Sequence, residues 1–460
     1  MNQDIIGAIS TPPGEGGIAI VRISGEGAIE KINEVFYPKA KGKELIYQKP
    51  FTLTLGYIRD EGQGMVDEVL VSLMKSPRSY TGEDMVEINC HGGALAAKRC
   101  LERVLSLGIR LAQPGEFTQR AFLNGKIDAV QAEAVIDIIR AKTDRGLKLA
   151  LKQLEGKNSQ YIKSMEDNIL EANMLLEASL DFSEDVGDLD YERVRELLQM
   201  SRDGIDKMLK AGELGDIYKE GISVAICGKP NVGKSSLLNA LLGKERAIVT
   251  DVPGTTRDLI EEYVNIRGIP VRIIDTAGIR DTSDLVEKLG INRAKQAIKD
   301  ADLIILVLDV EAGMTEEDIR IFQELENKER IILLVNKDDL LEKKIKKEDI
   351  ELHFSGIDVI WASIKEDIGI QSLAEMIERK VMAGLADGEQ LEFTVSLRQK
   401  ELLKEAGQYI QEVLEALELV PLDCLGVDMQ NALSSLGQLT GKDLKEESID
   451  RIFREFCIGK

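Results

Sequence analysis

The chain has 460 residues, of which 43% are hydrophobic and 30% charged, a composition typical of a globular protein with about three domains. Its formal net charge of −22 argues against a protein that grips nucleic acid along a broad basic face. The first ten residues lack the basic region and long apolar stretch of a signal peptide, and no apolar run approaches the ~20 residues of a membrane span, so we expect a cytoplasmic location without membrane contact.

The first predicted region, residues 1–118, mixes short apolar strands with one helix. Strands are predicted for GGIAIVRIS, PFTLTLGYIR, DEVLVSLM and DMVEINC, and a helix for the run from about Gly93 to Leu107. The pattern is typical of a compact α+β domain.

The next regions indicate an insertion. Residues 119–218 and 383–460 are predicted to be helical almost throughout, because apolar residues recur at three- and four-residue spacing. Between them, in residues 219–382, apolar strands alternate with helices, which is the pattern of an α/β sheet. Domain termini often lie close together. We therefore predict one discontinuous helical domain built from both flanks, with an α/β domain inserted into it.

The cysteines and histidines show no metal-binding spacing. The five cysteines are scattered and contain no C-x-x-C pair, and the chain has only two histidines. A disulfide framework, a zinc site or a histidine-based metal site is therefore not expected. The residues concerned are Cys90, Cys100, Cys227, Cys424, Cys457, His91 and His353.

The segment GKPNVGKS, from Gly228 to Ser235, is predicted to bind nucleotide phosphates. It follows the apolar strand ISVAIC and opens the helix SSLLNALLG, which is the context that a phosphate loop requires. Its glycines let the backbone wrap around phosphate oxygens, Lys234 would reach the β- and γ-phosphates, and the Ser235 hydroxyl would bind Mg²⁺. A plain glycine-rich turn is the alternative.

Four further boxes follow in the order found in guanine-nucleotide domains. GTTRD (254–258) would supply a threonine to the Mg²⁺ shell, and DTAG (275–278) ends a predicted strand. NKDD (336–339) ends another, and Asp339 would accept hydrogen bonds from guanine N1 and N2. ASIK (362–365) departs from the usual Ser-Ala-Lys at Ile364, but a backbone contact to guanine O6 needs no particular side chain. Together the boxes predict a Ras-like GTPase domain.

The residues predicted to bind GTP lie in these boxes and beside them. They are Asn231, Val232, Gly233, Lys234, Ser235, Ser236, Thr250, Asp251, Val252, Pro253, Gly254, Thr255, Thr256, Asp275, Thr276, Ala277, Gly278, Asn336, Lys337, Asp338, Asp339, Ser363, Ile364 and Lys365.

The residue after DTAG departs from the Ras pattern. Ras-like enzymes place a water-orienting glutamine there, whereas this chain has Ile279, which cannot orient water. Acidic candidates follow at Asp281, Asp284 and Glu287, although a solvated carboxylate at a helix start is the plainer interpretation of each one alone. Either the domain hydrolyses GTP slowly as a switch, or another group supplies catalysis.

With these boxes in place, the whole chain resembles the MnmE (TrmE) family, the tRNA-modification GTPases that act on the wobble uridine. Widely separated segments carry the resemblance, and FCIGK at residues 456–460 is rare and highly specific, whereas the GTPase boxes fit many families. The other segments are STPPGEGGIAIVRISG (10–25), SYTGEDMVEINCHGG (79–93), QPGEFTQRAFLNGKIDAVQAEAV (113–135), GKPNVGKSSLLNALLGKERAIVTDVPGTTRD (228–258) and DTAGIR (275–280).

The resemblance implies a folate site, because the family's N-terminal domain is similar to folate-binding aminomethyltransferases. Arg22, Glu87, Lys126 and Lys460 would contact a 5-formyltetrahydrofolate-type carrier, with cations for its glutamate tail and a carboxylate for its pterin amide edge. In the family the C-terminal Cys-x-Gly-Lys tail turns toward this domain. Cys457 would lie near the one-carbon unit as a nucleophile, a partner contact or a structural residue; a buried apolar thiol is the plainest interpretation.

The resemblance also implies how GTP is hydrolysed without the glutamine. Glu287 would position the attacking water through a second water. K⁺ would supply the positive charge of an arginine finger. Its ligands would be Asn231, Thr250, Val252 and Thr255, and those of Mg²⁺ would be Ser235 and Thr256.

The implied reaction adds an aminomethyl or carboxymethylaminomethyl group to the wobble uridine of certain tRNAs. The chain would form a homodimer through its N-terminal domains, and its GTPase domains would meet face to face on GTP binding. Its partner would be an FAD-dependent tRNA-modification subunit of the MnmG (GidA) type, in a heterotetramer. The acidic charge fits a division of labour in which that partner grips the tRNA.

Three alternatives stay open from the residues. A ribosome-assembly GTPase switch would need an RNA-binding appendage such as a basic KH module, and none is evident in the sequence. A folate-dependent transferase with a vestigial GTPase is disfavoured by the intact Lys234, Ser235, Thr256, Asp275 and Asp339. Full K⁺-stimulated turnover would argue against a scaffolding dimer switched by GTP.

Overall fold

The computed structural model describes residues 4–181, 189–244, 263–275, 296–383, 393–442, 444 and 446–460. In these residues a seven-stranded sheet is followed by long helices, and a six-stranded sheet is followed by three more helices. None of the helices described is long and apolar enough to cross a membrane.

The elements of the N-terminal region are β1 Ile6–Ile9, β2 Ile18–Ser24, α1 Ala28–Asn33, β3 Phe36–Pro38, a 3-10 turn Leu45–Tyr47, β4 Leu53–Arg59, β5 Met65–Met74, β6 Met85–His91, α2 Ala94–Leu105 and β7 Arg110–Leu111. The strands form a sheet of order β3-β4-β5-β6-β2-β1-β7, in which only the β1–β7 pair is parallel. The predicted strands β2, β4, β5 and β6 and the predicted helix α2 are confirmed, whereas β1, β3, β7 and the short helix α1 were missed.

Alternation along the strands creates the core of this sheet. Every second residue of the central strands is buried against α2, as the two-residue period of a strand requires. The apolar face of α2 covers this face of the sheet. The residues in this core include Val21, Ile23, Val69, Val71, Leu73, Val86, Ile88, Ala97, Cys100 and Val104.

The described part of the first helical region contains five helices, which are α3 Glu116–Leu123, α4 Ala129–Arg140, α5 Asp144–Leu154, α6 Lys157–Asp181 and α7 Tyr191–Lys219. Asp128 accepts from the Gln131 amide to cap α4, and Thr143 accepts from the Gly146 amide to cap α5. The apolar run that the sequence predicts as helical is therefore divided at residues 141–143.

In the described residues, the elements of the inserted α/β domain are β8 Ile222–Cys227, α8 Lys234–Lys244, β9 Tyr263–Ile266, β10 Ile269–Asp275, β11 Leu303–Asp309, α9 Glu316–Glu324, a 3-10 turn Lys328–Arg330, β12 Ile331–Asn336, α10 Lys347–His353, β13 Asp358–Trp361 and α11 Ile370–Met382. These strands form a sheet of order β13-β12-β11-β8-β10-β9, and all pairs are parallel except the β9–β10 hairpin. The central strands are buried along their whole length, which is typical of parallel strands covered on both faces.

The last helices return to the first helical region. They are α12 Leu397–Ala416, α13 Leu422–Thr440 and α14 Glu446–Arg454. One apolar core contains residues from both sides of the inserted domain, among them Ile162, Ile169, Leu197, Ile205, Leu403, Ile410 and Leu436. The predicted fold class is confirmed by this shared core and by the two sheets. The division of the chain at residues 118, 218 and 382 stays a prediction.

The contribution of the shared helical core to stability can be tested by substitution. Leu403 is fully buried in it, whereas Leu419 is 81% exposed. Replacing Leu403→Ala removes buried methyl groups and leaves a cavity, so we expect the free energy of unfolding of the helical region to fall by about 2–5 kcal/mol. Urea unfolding followed by far-ultraviolet circular dichroism measures the change.

The matched control is Leu419→Ala, which should change the same free energy by no more than about 0.5 kcal/mol. Equal small effects of the two substitutions would mean that the two flanks do not share one core.

Candidate functional site

The loop between β8 and α8 needs glycine at two positions. Gly228 has φ 137° and Gly233 has φ 104°, values that other residues rarely adopt. A Cβ at Gly233 would lie 2.3 Å from Asn336 Nδ2, and one at Gly228 would lie 2.5 Å from the Val307 carbonyl oxygen. The loop therefore packs directly on the carboxyl ends of β11 and β12, where α/β sheets bind ligands.

Lys234 is the first residue of α8, and its side chain folds back over the loop. Its Nζ donates to the carbonyl oxygens of Gly228 at 3.0 Å and Lys229 at 2.6 Å. Ser235 and Ser236 follow it and are exposed in the first turn of the helix. An ammonium group at a helix N-terminus attracts anions. The arrangement fits a phosphate group, with the Ser235 hydroxyl open to a hard cation such as Mg²⁺.

The Asn336 side chain joins the phosphate loop to the last predicted GTP box. Its Nδ2 donates to the Val232 carbonyl oxygen at 2.8 Å, and its Oδ1 accepts from the Ile364 amide at 3.2 Å. Asn336 is 4% exposed, so neither bond competes freely with water. The sequence places this residue in a guanine box, but the bridge itself follows only from the fold.

The ends of β12 and β13 meet around an exposed carboxylate. The Asp338 amide donates to the Ala362 carbonyl oxygen at 3.0 Å, which aligns the two loops. A hydrogen bond with Ser363 lowers the pKa of Asp339, so its carboxylate is ionised and acts as an acceptor. Lys337 lies 2.6 Å from Asp309, and this hydrogen bond raises the pKa of Lys337.

A second ion pair joins the phosphate loop to the start of α9. Lys229 Nζ lies 2.7 Å from Asp318 Oδ2 and donates to Thr315 Oγ1 at 2.8 Å. Asp318 is 1% exposed and also accepts from the Thr315 hydroxyl at the start of α9. Sequence reasoning missed this anchor. The available signal was the T-x-x-D capping pattern of residues 315–318.

Many of the predicted GTP and cation residues lie outside the described residues. For Asp275 only the backbone is described, as the last residue of β10. The roles of the residues outside the described ranges stay predictions. Those residues are Thr250, Asp251, Val252, Pro253, Gly254, Thr255, Thr256, Thr276, Ala277, Gly278, Ile279, Asp281, Asp284 and Glu287.

A second site lies on the N-terminal sheet, where Arg22 of β2 and Glu87 of β6 are directly paired. Arg22 Nε donates to Glu87 Oε1 at 2.9 Å. The guanidinium carbon lies 5.7 Å from the ring centroids of both Tyr80 and Phe117. A charge-assisted hydrogen bond and two aromatic rings therefore fix the guanidinium. Tyr80 and Phe117 were not predicted as site residues, although both lie in segments that carry the family resemblance.

The tail after α14 docks beside this pair. Phe453 and Phe456 pack with Phe122 in a small apolar cluster, which brings the tail to the N-terminal domain. Three hydrogen bonds then hold its backbone: from the Gly115 amide to the Cys457 carbonyl oxygen at 3.4 Å, from the Phe117 amide to the Lys460 carbonyl oxygen at 3.1 Å, and from Arg22 Nη1 to the Gly459 carbonyl oxygen at 3.3 Å.

Gly459 allows the close approach of the tail. It has φ 96°, and a Cβ there would lie 2.3 Å from the Ile9 carbonyl oxygen. Lys460 is half-buried next to Arg22. Burial and the neighbouring guanidinium together lower the pKa of Lys460. An anionic ligand placed between the two cations would relieve their repulsion.

The structure brings Arg22, Glu87 and Lys460 together, and Lys126 lies on a neighbouring loop. Lys126 is exposed, and its Nζ donates to the Pro77 carbonyl oxygen at 3.1 Å, in the loop that also carries Tyr80. Cys457 is exposed, so its interpretation as a buried apolar thiol is wrong. Its placement on the tail backbone beside Gly115 leaves the thiol open to solvent.

Two family models and full-length relatives match this chain. Residues 5–126 match the family described as GTP-binding protein TrmE N-terminus, and residues 130–457 match the family described as MnmE helical domain. The chain is 57% identical over 460 residues to the tRNA modification GTPase MnmE of Syntrophomonas wolfei, with 100% of both chains covered. It is 49% identical to the protein of the same name from Thermoanaerobacter pseudethanolicus, with 99% of both covered.

Two solved structures match parts of this chain. The G domain of the T. maritima FeoB iron transporter is 30% identical and covers 35% of this chain and 97% of its own, with a TM-score of 0.26. Era in complex with a 16S ribosomal RNA fragment is 22% identical and covers 50% of this chain and 97% of its own, with a TM-score of 0.29. The family assignment rests on the full-length relatives.

The docked tail can be tested at Gly459. The substitution Gly459→Ala places a Cβ against the Ile9 carbonyl at a positive φ, a strain of about 1–3 kcal/mol that favours release of the tail. The Phe117 amide, bonded to Lys460, should then exchange with solvent deuterium roughly tenfold faster or more. Hydrogen exchange with mass spectrometry of the peptide around residue 117 measures it.

The control is Gly426→Ala in α13, where an added Cβ meets no atom within 4 Å. Exchange near Phe117 should be unchanged there. If Gly459→Ala also leaves that exchange unchanged, the tail is not docked in solution.

Proposed function

Because the chain belongs to the MnmE family of tRNA modification GTPases, we propose that it uses GTP hydrolysis to support addition of an aminomethyl or carboxymethylaminomethyl group to the wobble uridine of certain tRNAs. The observation that carries the proposal is the presence of two separate sites in one chain. One is a phosphate loop joined to a guanine box by Asn336. The other is the Arg22–Glu87 pair beside the docked tail.

The guanine site follows from the chemistry of the base. Guanine presents N–H donors at N1 and N2, whereas adenine has an acceptor at N1 and no amino group at C2. The exposed carboxylate of Asp339, whose pKa is lowered by a hydrogen bond with Ser363, would suit both guanine donors. The Lys234 ammonium would leave its two carbonyl partners and offset the charge of the β- and γ-phosphates. Ser235 would hold Mg²⁺ together with Thr256.

Hydrolysis is proposed to need no glutamine. Bound K⁺ would supply positive charge between the phosphates, where negative charge grows as the bond breaks. Asn231 is exposed on the loop and has φ 63°, a left-handed conformation that asparagine adopts more readily than most residues. Asn231 would hold K⁺ together with residues Thr250, Val252 and Thr255. Glu287 would act as the catalytic residue that positions the attacking water.

The second site is proposed to bind a 5-formyltetrahydrofolate-type carrier. Glu87 is held by Arg22 on one face of the central strands and would suit the donor edge of a pterin ring. Arg22, Lys126 and Lys460 supply cations for the carboxylates of the glutamate tail. The rings of Tyr80 and Phe117 lie beside the guanidinium and hold it in position for the ligand. Cys457, exposed on the docked tail, would lie near the one-carbon unit and is the candidate for a direct catalytic role.

The proposed assembly is a homodimer joined through the N-terminal domains, with GTPase domains that meet when GTP is bound. It would form a heterotetramer with an FAD-dependent tRNA-modification subunit of the MnmG (GidA) type. The net charge of −22 supports a division of labour in which that subunit supplies most of the attraction to the tRNA backbone.

GTP hydrolysis in KCl and in NaCl at equal ionic strength tests the proposed GTPase mechanism. We expect K⁺ to stimulate the rate about tenfold or more, because the cation offsets transition-state charge. Glu287→Ala should lower the K⁺-stimulated rate roughly 100-fold. Steady-state phosphate release by the purified chain measures both effects.

The control for this experiment is Glu348→Ala, which removes an exposed carboxylate on α10 and should leave the rate unchanged. Equal slow rates in both salts would contradict the proposal. The assignments of Asn231 and Glu287 would then be withdrawn, and the ribosome-assembly switch would become the better interpretation.

Binding of 5-formyltetrahydrofolate tests the second site. Arg22→Ala removes a charge-assisted contact worth about 1.5–3 kcal/mol, so the dissociation constant should rise roughly 10- to 100-fold in isothermal titration calorimetry. Arg195→Ala, which removes an exposed arginine on α7, should bind as the unchanged protein does. Identical affinities for all three proteins would show that the Arg22 site does not bind folate.

A further inference from the structure

A cluster of two cysteines and a carboxylate lies on the N-terminal sheet, on the face opposite the Arg22–Glu87 pair. Side chains alternate between the two faces of a strand. Glu87 and Cys90 are three residues apart on β6, so they point to opposite faces. Cys90 points into the apolar core beneath α2, away from the proposed folate site.

Three separate elements bring the cluster together. Asp67 is on β5, Cys90 on β6 and Cys100 on α2. The two sulfur atoms and a carboxylate oxygen all lie within 4.8 Å of one another. Cys90 is 3% exposed, Cys100 is fully buried, and the Asp67 side chain is 10% exposed. A carboxylate this deeply buried beside two thiols is costly unless it has a partner.

The turn between β6 and α2 sets the position of Cys100. A Cβ at Gly92 would lie 2.2 Å from the Gly16 carbonyl oxygen, and the Gly16 amide donates to the Gly92 carbonyl oxygen at 3.1 Å. This close backbone approach lets α2 begin at Ala94 and fold back over the sheet. Cys100 then faces Cys90, ten residues earlier in the chain.

Asp67 is held in place by the end of β6. Its Oδ2 accepts from the His91 amide at 2.8 Å, and its Oδ1 lies 2.6 Å from His91 Nδ1 and accepts from the Glu68 amide at 2.9 Å. These bonds hold the carboxylate in place, with an oxygen within 4.8 Å of the two sulfur atoms. Partners of this kind, which bind a ligand side chain rather than the metal, are typical around metal sites.

We propose that Asp67, Cys90 and Cys100 form a binding site for Zn²⁺. Thiolate and carboxylate are established zinc ligands, and sulfur favours zinc over hard cations such as Mg²⁺. At Zn–S bonds of about 2.3 Å, two ligand sulfurs in a tetrahedral site lie about 3.8 Å apart. The cluster therefore needs to contract by about 1 Å at most, and a water molecule completes the four ligands.

Binding forms two Zn–S bonds and one Zn–O bond. Each thiol gives up its proton to solvent, so two protons are released for each zinc ion bound. The Cys90 thiol donates to the Ala19 carbonyl oxygen at 3.3 Å, and the Zn–S bond replaces this hydrogen bond. No electron transfer and no oxidant are required.

The carboxylate distinguishes a zinc site from a disulfide. A disulfide would use only the two cysteines, and Asp67 would keep its bonds to His91 and Glu68 without contributing to the cross-link. A divalent cation uses all three groups and is stabilised by the negative charge of each. It would join β5, β6 and α2, so its effect would be on the stability of the N-terminal domain and independent of the GTP site.

The test is zinc binding by the full chain. After removal of metal by a chelator and gel filtration, the protein is loaded with Zn²⁺ and its metal content is measured by inductively coupled plasma mass spectrometry. We expect one zinc ion per chain. Co²⁺ in place of Zn²⁺ should produce the charge-transfer absorption of a thiolate ligand, which reports sulfur coordination directly.

Cys100→Ser should lower zinc content and the cobalt band at least tenfold, whereas Cys424→Ser, at an exposed cysteine outside the cluster, should retain both. Circular dichroism checks folding. If Cys100→Ser does not fold, Asp67→Asn carries the test, because it keeps the shape of the side chain and should weaken binding at least tenfold.

Three results would overturn the proposal. The first is the absence of a thiolate–cobalt band. The second is equal metal binding by Cys100→Ser and the unchanged protein, or by Asp67→Asn where that variant carries the test. The third is a titration of the unreduced, unfolded chain that finds three free thiols instead of the five that the sequence contains, because that count would mean a disulfide between Cys90 and Cys100.

Discussion

The arrangement of the chain depends on the docking of its last four residues against the N-terminal domain. Arg22, whose guanidinium is already held by Glu87, also donates to the Gly459 carbonyl, and the bonds from the Gly115 and Phe117 amides continue this contact. This docking places α14 against α3. The last helices therefore pack on the first helical region, and the two parts form one helical domain. The α/β domain is consequently an insertion: the chain leaves the helical domain after α7 and returns to it at α12. The same contact that closes the fold also places a lysine and a cysteine beside the Arg22 pair.

The inserted domain is attached to the helical body by contacts near the phosphate-loop strand. Helix α7 ends at Lys219 and β8 begins at Ile222, so the two are almost continuous. Lys219 lies 2.7 Å from Asp137 of α4. Burial of the Asp137 carboxyl raises its pKa in spite of this cationic partner. Arg145 packs over Tyr218 at 4.0 Å, and Lys142 over Tyr263 at 3.5 Å. A displacement of β8 relative to α4 has to break or move these contacts, which gives the GTP site a physical connection to the helices.

The fold was predictable from the sequence where an element is long and its period is clear. The strands with six or more residues and the long amphipathic helices follow from their apolar spacing. Strands β1, β3 and β7 have two to four residues, too few to show a period, and they exist because a neighbouring strand offers hydrogen bonds. The break between α4 and α5 depends on the Thr143 cap, a single side chain within a run that otherwise continues the helical pattern.

By itself the sequence determined the family, the order of the GTPase boxes and the identity of the residues in them. It could do so because phosphate loops and guanine boxes are local: their chemistry requires fixed residues at fixed spacing along the chain. Only the tertiary structure decided that Asn336 bridges two boxes, that Lys229 pairs with a buried aspartate, and that Asp67 meets Cys90 and Cys100. These residues are far apart in the chain or lack a recognisable spacing, and they meet because packing of a helix on a sheet brings their side chains together.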